Sequence, residues 1–283
     1  MKLSWANYSL DFSQKTCIMG ILNVTPDSFS DSGLYLDKAQ AIDRAVRMAE
    51  EGADIIDIGG ESTRPGSEPL AIEEELRRII PVIEALSKEI DIPLSVDTYK
   101  SGVARRALDA GASMVNDISG LRFDPGMPKV VSEYRVPVVI MHIKGAPKDM
   151  QRNPLYQALM PEVMDTLRKG IRSAMESGVS EDKIIVDPGI GFGKTSEHNL
   201  EIIHNLRELT FLEKPVLIGP SRKAFIGKVL GDMPPGERLE GTAAAVAVSI
   251  MNGANIIRVH DVKEMAKVAK VADAIKRMRT DNA

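Results

Sequence analysis

Four side chains suited to holding a flat, polar heterocycle stand at the ends of short apolar runs: Asp97, Asn116, Asp187 and Lys223. A buried carboxylate accepts two N–H donors side by side, as an aminopyrimidinone ring presents them. Asparagine offers a donor and an acceptor, and lysine donates to a ring carbonyl or ring nitrogen. A second set reads as anion chemistry. Arg258 gives a rigid fork for phosphate oxygens, and His260, two residues on, gives a further hydrogen bond. The side-chain oxygen of Asn23 is a hard ligand that suits Mg2+. Together Asn23, Arg258 and His260 describe a diphosphate-plus-metal pocket. Each residue also has a plain structural reading: Asp97-Thr98 before a helix could be an N-cap, and Arg258 and His260 could be a surface arginine and a helix-entry histidine. His142 follows a strand end and serves structure or site equally well, while His198 and His204 fall on a predicted helix and are read as solvated. The glycine-rich stretch 187–194 ends Gly193-Lys194-Thr195. A Walker A loop needs glycine five residues before Gly193, where Pro188 stands, so nucleoside triphosphate binding is rejected. Gly189, Gly191 and Gly193 are expected to allow a tight turn close to a ligand, with Phe192 as an apolar wall.

The elements that must position these residues follow from the hydrophobic pattern. Short apolar runs recur at 17–22, 54–58, 92–96, 114–116, 136–141, 183–186, 216–218 and 255–259, each closed by a polar or glycine cluster. Amphipathic stretches lie between them. Ile42, Ala45, Val46 and Ala49 share helical spacing, as do Leu76, Ile79, Ile80, Ile83 and Leu86, with Pro81 as a potential kink. Strand then helix, eight times over, with strands apolar on both faces, predicts parallel strands under helices. The economical arrangement is an α/β fold: one (β/α)8 TIM barrel over residues 1–283, with residues 3–12 as a short N-terminal hairpin closing its floor. A doubly wound open sheet is the competitor. Barrels carry their chemistry at the C-terminal ends of strands, where all the residues above fall. Met141 also ends a strand and would face a planar ring. Two polar loops, 24–34 and 60–70, are long enough to be lids.

The chain has 283 residues, 43% hydrophobic and 27% charged, with a formal net charge of −4. Such a composition excludes an extended disordered chain and gives no basic surplus for a nucleic-acid backbone. One cysteine, Cys17, forms no internal disulfide and fits a reducing cytosol, and neither a signal peptide nor an apolar run long enough for a membrane span is read, so a cytoplasmic protein is expected. Apolar residues on more than one face of the last helices, around 241–252 and 262–278, predict a homodimer.

Taken in order, the strand ends resemble the dihydropteroate synthase family, pterin-binding TIM-barrel enzymes of folate biosynthesis. The resemblance rests on Asn23 to Asp31, Gly59 to Gly66 and Ser221-Arg222-Lys223, and runs from about Cys17 to the last helix. Two departures are visible: Asp31-Ser32-Gly33 where the family usually has Asp-Gly-Gly, and Pro220 where a variable residue is usual. The resemblance implies a Mg2+-dependent transferase joining 6-hydroxymethyl-7,8-dihydropterin diphosphate and 4-aminobenzoate into 7,8-dihydropteroate, with release of diphosphate and inhibition by sulfonamides. It implies pterin contacts at Asp97, Asn116, Met141, Asp187 and Lys223, and diphosphate contacts at Asn23, Thr63, Arg258 and His260, with Asn23 on the metal. For 4-aminobenzoate it implies Phe29, Thr63, Arg64, Pro65, Phe192, Ser221 and Lys223, the carboxylate meeting backbone N–H groups at a helix entered by Ser221. Asp97, Lys223, Arg258 and His260 are the expected catalytic set. A methyltetrahydrofolate–corrinoid methyltransferase and a non-catalytic pterin-binding protein are the alternatives. The first would not need the diphosphate pocket or the loop from Asn23 to Asp31, and intact Asn23, Asp97, Lys223, Arg258 and His260 argue against the second.

Overall fold

The computed structural model describes residues 1–25 and 34–280. Phe29, Asp27 and Asp31, read above as part of the first long loop, lie outside the described residues.

The hairpin is the first element: β1 (Lys2–Trp5) pairs antiparallel with β2 (Tyr8–Asp11). Eight parallel strands follow: β3 (Cys17–Asn23), β4 (Ile55–Gly59), β5 (Leu94–Asp97), β6 (Met114–Asp117), β7 (Val138–Met141), β8 (Ile184–Asp187), β9 (Leu217–Ile218) and β10 (Ile256–Val259). Their spatial order is β8-β7-β6-β5-β4-β3-β10-β9. A parallel bridge between Val186 and Val216 joins the two ends, with the Val186 N–H donating to the Pro215 carbonyl at 2.9 Å. The sheet therefore closes into a barrel, and the open-sheet alternative falls. Helices α1 (Leu34–Glu50), α2 (Ile72–Glu89), α3 (Ser101–Asp109), α4 (Met127–Tyr134), α5 (Leu159–Glu176), α6 (Ser196–His204), α7 (Ala224–Val229), α8 (Leu239–Met251) and α9 (Val262–Thr280) cover it. Pro81 sits inside α2 without ending it. No helix among the described residues is long and apolar enough to cross a membrane.

Successive residues of a strand face opposite sides of the sheet. One set of side chains, among them Ile18, Leu22, Ile56, Ile58, Val96, Val115 and Ile257, packs outward against the helices. The other set points into the barrel. At its N-terminal end Cys17, Met19, Ile55, Met114, Val139, Ile185, Leu217 and Ile256 pack against Leu3, Trp5 and Leu10 of the hairpin. The hairpin is thus the floor of the barrel, as the sequence pattern predicts. Each fully buried side chain of this size stabilises the fold by roughly 1.5–3 kcal/mol relative to exposure. Cys17 belongs to this plug, where burial pushes its thiol pKa up to about 12, so it is inert filler.

Candidate functional site

Two residues beyond the apolar plug, the inward-facing positions change character. Asp57 follows Ile55, Asn116 follows Met114, Asp187 follows Ile185 and Arg258 follows Ile256. Asp97 joins them from β5, and Met141 takes the same step on β7 after Val139. Strand pairing sets neighbours: Asp97 lies opposite both Gly59 and Asn116, and Met141 opposite Asp187. The period-two alternation that builds the plug therefore also builds a polar layer on top of it, at the C-terminal mouth.

Arg258 organises this layer. Its Nε donates to Asp57 Oδ2 at 2.6 Å, and its Nη2 donates to Asp97 Oδ2 at 2.5 Å. Asn116 Nδ2 donates to the same Asp57 oxygen at 2.8 Å, which leaves the Asn116 carbonyl oxygen as an acceptor. Asp57 is completely buried. One carboxylate on β4 thus orients both a heterocycle-binding asparagine and an anion-binding arginine. Sequence reading left Asp57 inside the apolar run 54–58 and assigned it no role; its signal was its position two residues after Ile55. The Asp97 Oδ1 atom is buried without a partner among the described residues, as is Asp57 Oδ1. The N-cap reading of Asp97 fails, because α3 starts at Ser101 with Lys100 as its cap residue. Burial pushes the Asp97 carboxyl up to about 7, with Arg258 opposing and the Asp57 carboxylate adding to the rise.

Asp187 accepts the Gly189 N–H at 2.7 Å, and burial raises its pKa to about 6. The Lys223 Nζ stands 4.4 Å from the centre of the Phe192 ring, so lysine and ring form one wall. Burial and the Arg258 charge lower the Lys223 pKa to about 8. Phe192 and Met141 belong to an apolar cluster with Ile118, Ile143 and Met150 on the same side.

The glycine-rich stretch forms the tight turn that its glycines suggest. Gly189, Gly191 and Gly193 all have positive φ, at 71°, 82° and 65°. At Gly189 and Gly193 the close neighbours are carbonyl oxygens of the chain itself, those of His142 and Lys144, and at Gly191 the neighbour is the Lys223 stem. The glycines let the turn pack closely against the chain itself, and at Gly191 against the stem of Lys223. Lys194, rejected as a nucleotide lysine and given no other role, is 2% exposed. Its Nζ meets His142 Nδ1 at 2.8 Å and donates to the Phe192 carbonyl at 3.0 Å, and burial lowers its pKa to about 7. His142 is held neutral, its pKa lowered to about 2 by burial and Lys194. It is a buried support for the turn. His198 is half-buried and closes a capping box with Thr195 rather than being solvated, whereas His204 is exposed.

On the anion side, the Ser221 hydroxyl accepts the His260 backbone N–H at 3.2 Å and faces His260 Nδ1 at 3.0 Å. With its oxygen accepting the backbone N–H, the hydroxyl can donate its own proton to Nδ1, the arrangement that puts the ring proton of His260 on Nε2. Burial and Arg258 lower the His260 pKa to about 3, so the ring is a neutral donor. Ser221 is 3% exposed and does not enter a helix: α7 begins at Ala224. Its side chain supports His260. Arg222, at φ 57°, pairs with Asp261 through Nε at 2.9 Å and ties this turn to the end of β10. Asn23 is half-buried at the end of β3, the strand beside β10. Thr63 is half-buried, and Arg64 and Pro65 are exposed, on the second long loop.

Three comparisons bear on this arrangement. Residues 19–260 match the family described as pterin binding enzyme. The chain is 50% identical over 267 residues to a dihydropteroate synthase of Bacillus subtilis, covering 94% of this chain and 91% of the relative. Crystal structures similar to it include a Clostridium difficile dihydropteroate synthase in the presence of pteroic acid, with TM-score 0.89, 48% identity and coverage of 94% and 98% of the two chains. A Yersinia pestis dihydropteroate synthase in a sulfonamide drug complex gives TM-score 0.92, 42% identity and coverage of 98% and 100%.

Proposed function

From the chain's membership of the pterin binding enzymes, among the dihydropteroate synthases, we propose how its side chains divide the reaction. The enzyme condenses 6-hydroxymethyl-7,8-dihydropterin diphosphate with 4-aminobenzoate to 7,8-dihydropteroate and diphosphate. The methyltransferase and non-catalytic alternatives have no support from these relatives. The observation that carries the residue roles is the single polar layer of Asp57, Asp97, Asn116, Asp187 and Arg258 above an apolar plug.

In this reading the pterin lies flat over that layer. Asp97, through its unpartnered Oδ1, and Asp187 accept ring N–H groups; Asn116 gives its free carbonyl oxygen; Met141 packs against the ring; Lys223 donates to a ring oxygen or nitrogen. The guanidinium of Arg258 has five N–H donors, and its two bonds to carboxylates leave donors for the diphosphate, joined by Nε2–H of His260 and by Thr63. As the C–O bond to diphosphate breaks, the electron pair leaves with the phosphate oxygen, and the ring spreads the cationic charge of the methylene. Arg258 and His260 stabilise the departing anion, and the Asp97 carboxylate stabilises the cationic ring. The arylamine nitrogen then forms the new C–N bond and releases its proton. So electrophilic a carbon needs no strong base. Thr63, Arg64 and Pro65, with Phe29, Phe192, Ser221 and Lys223, would enclose 4-aminobenzoate, Ser221 acting through His260. A sulfonamide copies the arylamine and takes the same place.

Among the described residues no group of three or more His, Cys, Asp or Glu is gathered to hold a metal ion. Asn23 supplies one hard oxygen at the strand end. Mg2+ commonly keeps waters and takes its remaining oxygens from substrate phosphate, so this donor set fits an ion that arrives with the diphosphate. When bound, it would add positive charge against the leaving group. The test is diphosphate release followed with each component omitted in turn. Release that requires both 4-aminobenzoate and Mg2+, and that a sulfonamide inhibits competitively with 4-aminobenzoate, is the expected result. Release at an equal rate without Mg2+ would remove the metal from the scheme.

The domain is the whole barrel, residues 1–283, and its place is the cytosol, consistent with one buried, unpaired cysteine. A homodimer is supported by apolar side chains on the outer faces of the adjacent helices α8 and α9, where Val248, Val271 and Ile275 are 47%, 62% and 54% exposed. Light scattering at micromolar concentration should give twice the 30.9 kDa chain mass. A value near one chain mass would reject the dimer.

A further inference from the structure

The second long loop, residues 60–70, is not free at its ends. Both ends converge on one lysine that sequence reading passed over. The Lys100 Nζ donates to a carboxylate oxygen of Glu61 at the start of the loop and to the Leu70 carbonyl at its end, the latter at 2.6 Å. It also donates to Glu75 Oε2 in the first turn of α2, at 2.6 Å. Glu61 is saturated by the same cluster: its Oε1 accepts from the Tyr99 hydroxyl at 2.7 Å, and its Oε2 accepts the Leu70 N–H at 3.0 Å. The side chains of Glu61, Lys100 and Glu75 are 8%, 12% and 1% exposed, so the ion pairs are largely withdrawn from water. Between the pinned ends Thr63, Arg64 and Pro65 rise towards solvent.

The cluster also grips the pterin side. Lys100 is three residues after Asp97. Its backbone N–H donates to Thr98 Oγ1 at 3.3 Å, and the Thr98 N–H donates to the Asn116 carbonyl at 3.1 Å. Thr98 itself is 3% exposed. A short path of main chain and hydrogen bonds therefore runs from the strand ends that carry Asp97 and Asn116 to the two ends of the loop that carries Thr63 to Pro65. Closing a loop of this length costs conformational freedom that charge-assisted bonds at a common point can offset.

We propose that Lys100 is a positioning residue for the arylamine step, holding both ends of loop 60–70 against β5 so that Thr63, Arg64 and Pro65 stand in register with the pterin layer. Lys100 acts through the loop and touches neither substrate. The proposal rests on the reading that this loop encloses 4-aminobenzoate.

The test combines steady-state kinetics for both substrates with hydrogen exchange over residues 60–70, on Lys100→Met, Lys100→Arg, Glu61→Gln and Arg64→Ala. Misplacing a binding group by about an ångström costs on the order of a hundredfold, so Lys100→Met should raise KM for 4-aminobenzoate about tenfold or more. KM for the pterin diphosphate should rise much less than that for 4-aminobenzoate, since only its Thr63 contact travels with the loop while the polar layer keeps its own bonds. The Gly66 and Leu70 amides should exchange faster, while amides of the barrel strands keep their protection. Lys100→Arg should recover most of the loss, because a guanidinium can span both carboxylates. Should Lys100→Met not fold, with Glu61 and Glu75 left buried and unpaired, Glu61→Gln removes one charge, keeps the side-chain shape and should show the same pattern in smaller degree. Unchanged KM for 4-aminobenzoate, or a parallel rise in both KM values with unaltered loop exchange, would overturn the proposal. Arg64→Ala separates the two layers of the argument. If it raises KM for 4-aminobenzoate and Lys100→Met does not, only the clamp is lost. If it leaves that KM unchanged, the loop reading falls and the clamp's positioning role falls with it.

Discussion

Replacing Arg258 with alanine will lower kcat/KM by about a thousandfold, or roughly 4 kcal/mol of transition-state stabilisation. Two losses combine. In the proposed scheme the departing diphosphate loses a fork aimed at charge that develops as the bond breaks. The polar layer loses the cation that joins Asp57 to Asp97. Removing one partner of a buried ion pair typically destabilises by about 3–5 kcal/mol. Here part of that cost is relieved, because Arg258 is what opposes the upward shift of Asp97. Without the guanidinium the Asp97 pKa rises further above about 7, so the carboxyl takes up a proton at neutral pH. The protonated Asp97 then stabilises the cationic ring less well. Arg258→Lys keeps charge but not the fork and should recover only a minor part of the loss. Kinetics on variants shown to be folded by circular dichroism are the check, and a loss below tenfold for Arg258→Ala would remove Arg258 from the centre of the scheme.

Gly189→Ala should have the largest effect on stability among substitutions of one methyl group at the mouth, roughly 2–5 kcal/mol when left-handed backbone and overpacking costs are summed. Its φ of 71° disfavours any L side chain, and an added Cβ would fall on the His142 carbonyl oxygen, which belongs to backbone and cannot swing aside. Gly66→Ala is the control. Its φ of 82° carries the same backbone cost, but nothing lies within 4 Å of the added Cβ, so about 1–2 kcal/mol is expected. Urea unfolding of the two variants separates strain from collision. Equal midpoints would show that the turn yields, and that the Asp187 and Phe192 positions depend on it less than argued.

Much of the molecule was written in local pattern. Parallel strands buried on both faces produce apolar runs, helices between them produce a 3.6-residue spacing, and both signals survive in one dimension because neighbours in sequence create them. Hence the eight strand ends, the hairpin floor and the residues Asp97, Asn116, Asp187, Lys223, Arg258 and His260 could be named from sequence. The boundaries shifted by a residue or two, as for β4, which begins at Ile55. The partners could not be named. Asp57 meets Arg258 across 201 residues, Arg258 meets Asp97 across 161, and Lys194 meets His142 across 52. Lys100 gathers Glu61 and Glu75 from two separate elements. Residue type and spacing determined where polar side chains would reach the mouth, because strand periodicity is local. Only closure of the barrel decided which of them share a proton, a charge or an oxygen, because in a buried layer each polar group is satisfied by whatever tertiary neighbour the register places within hydrogen-bond reach.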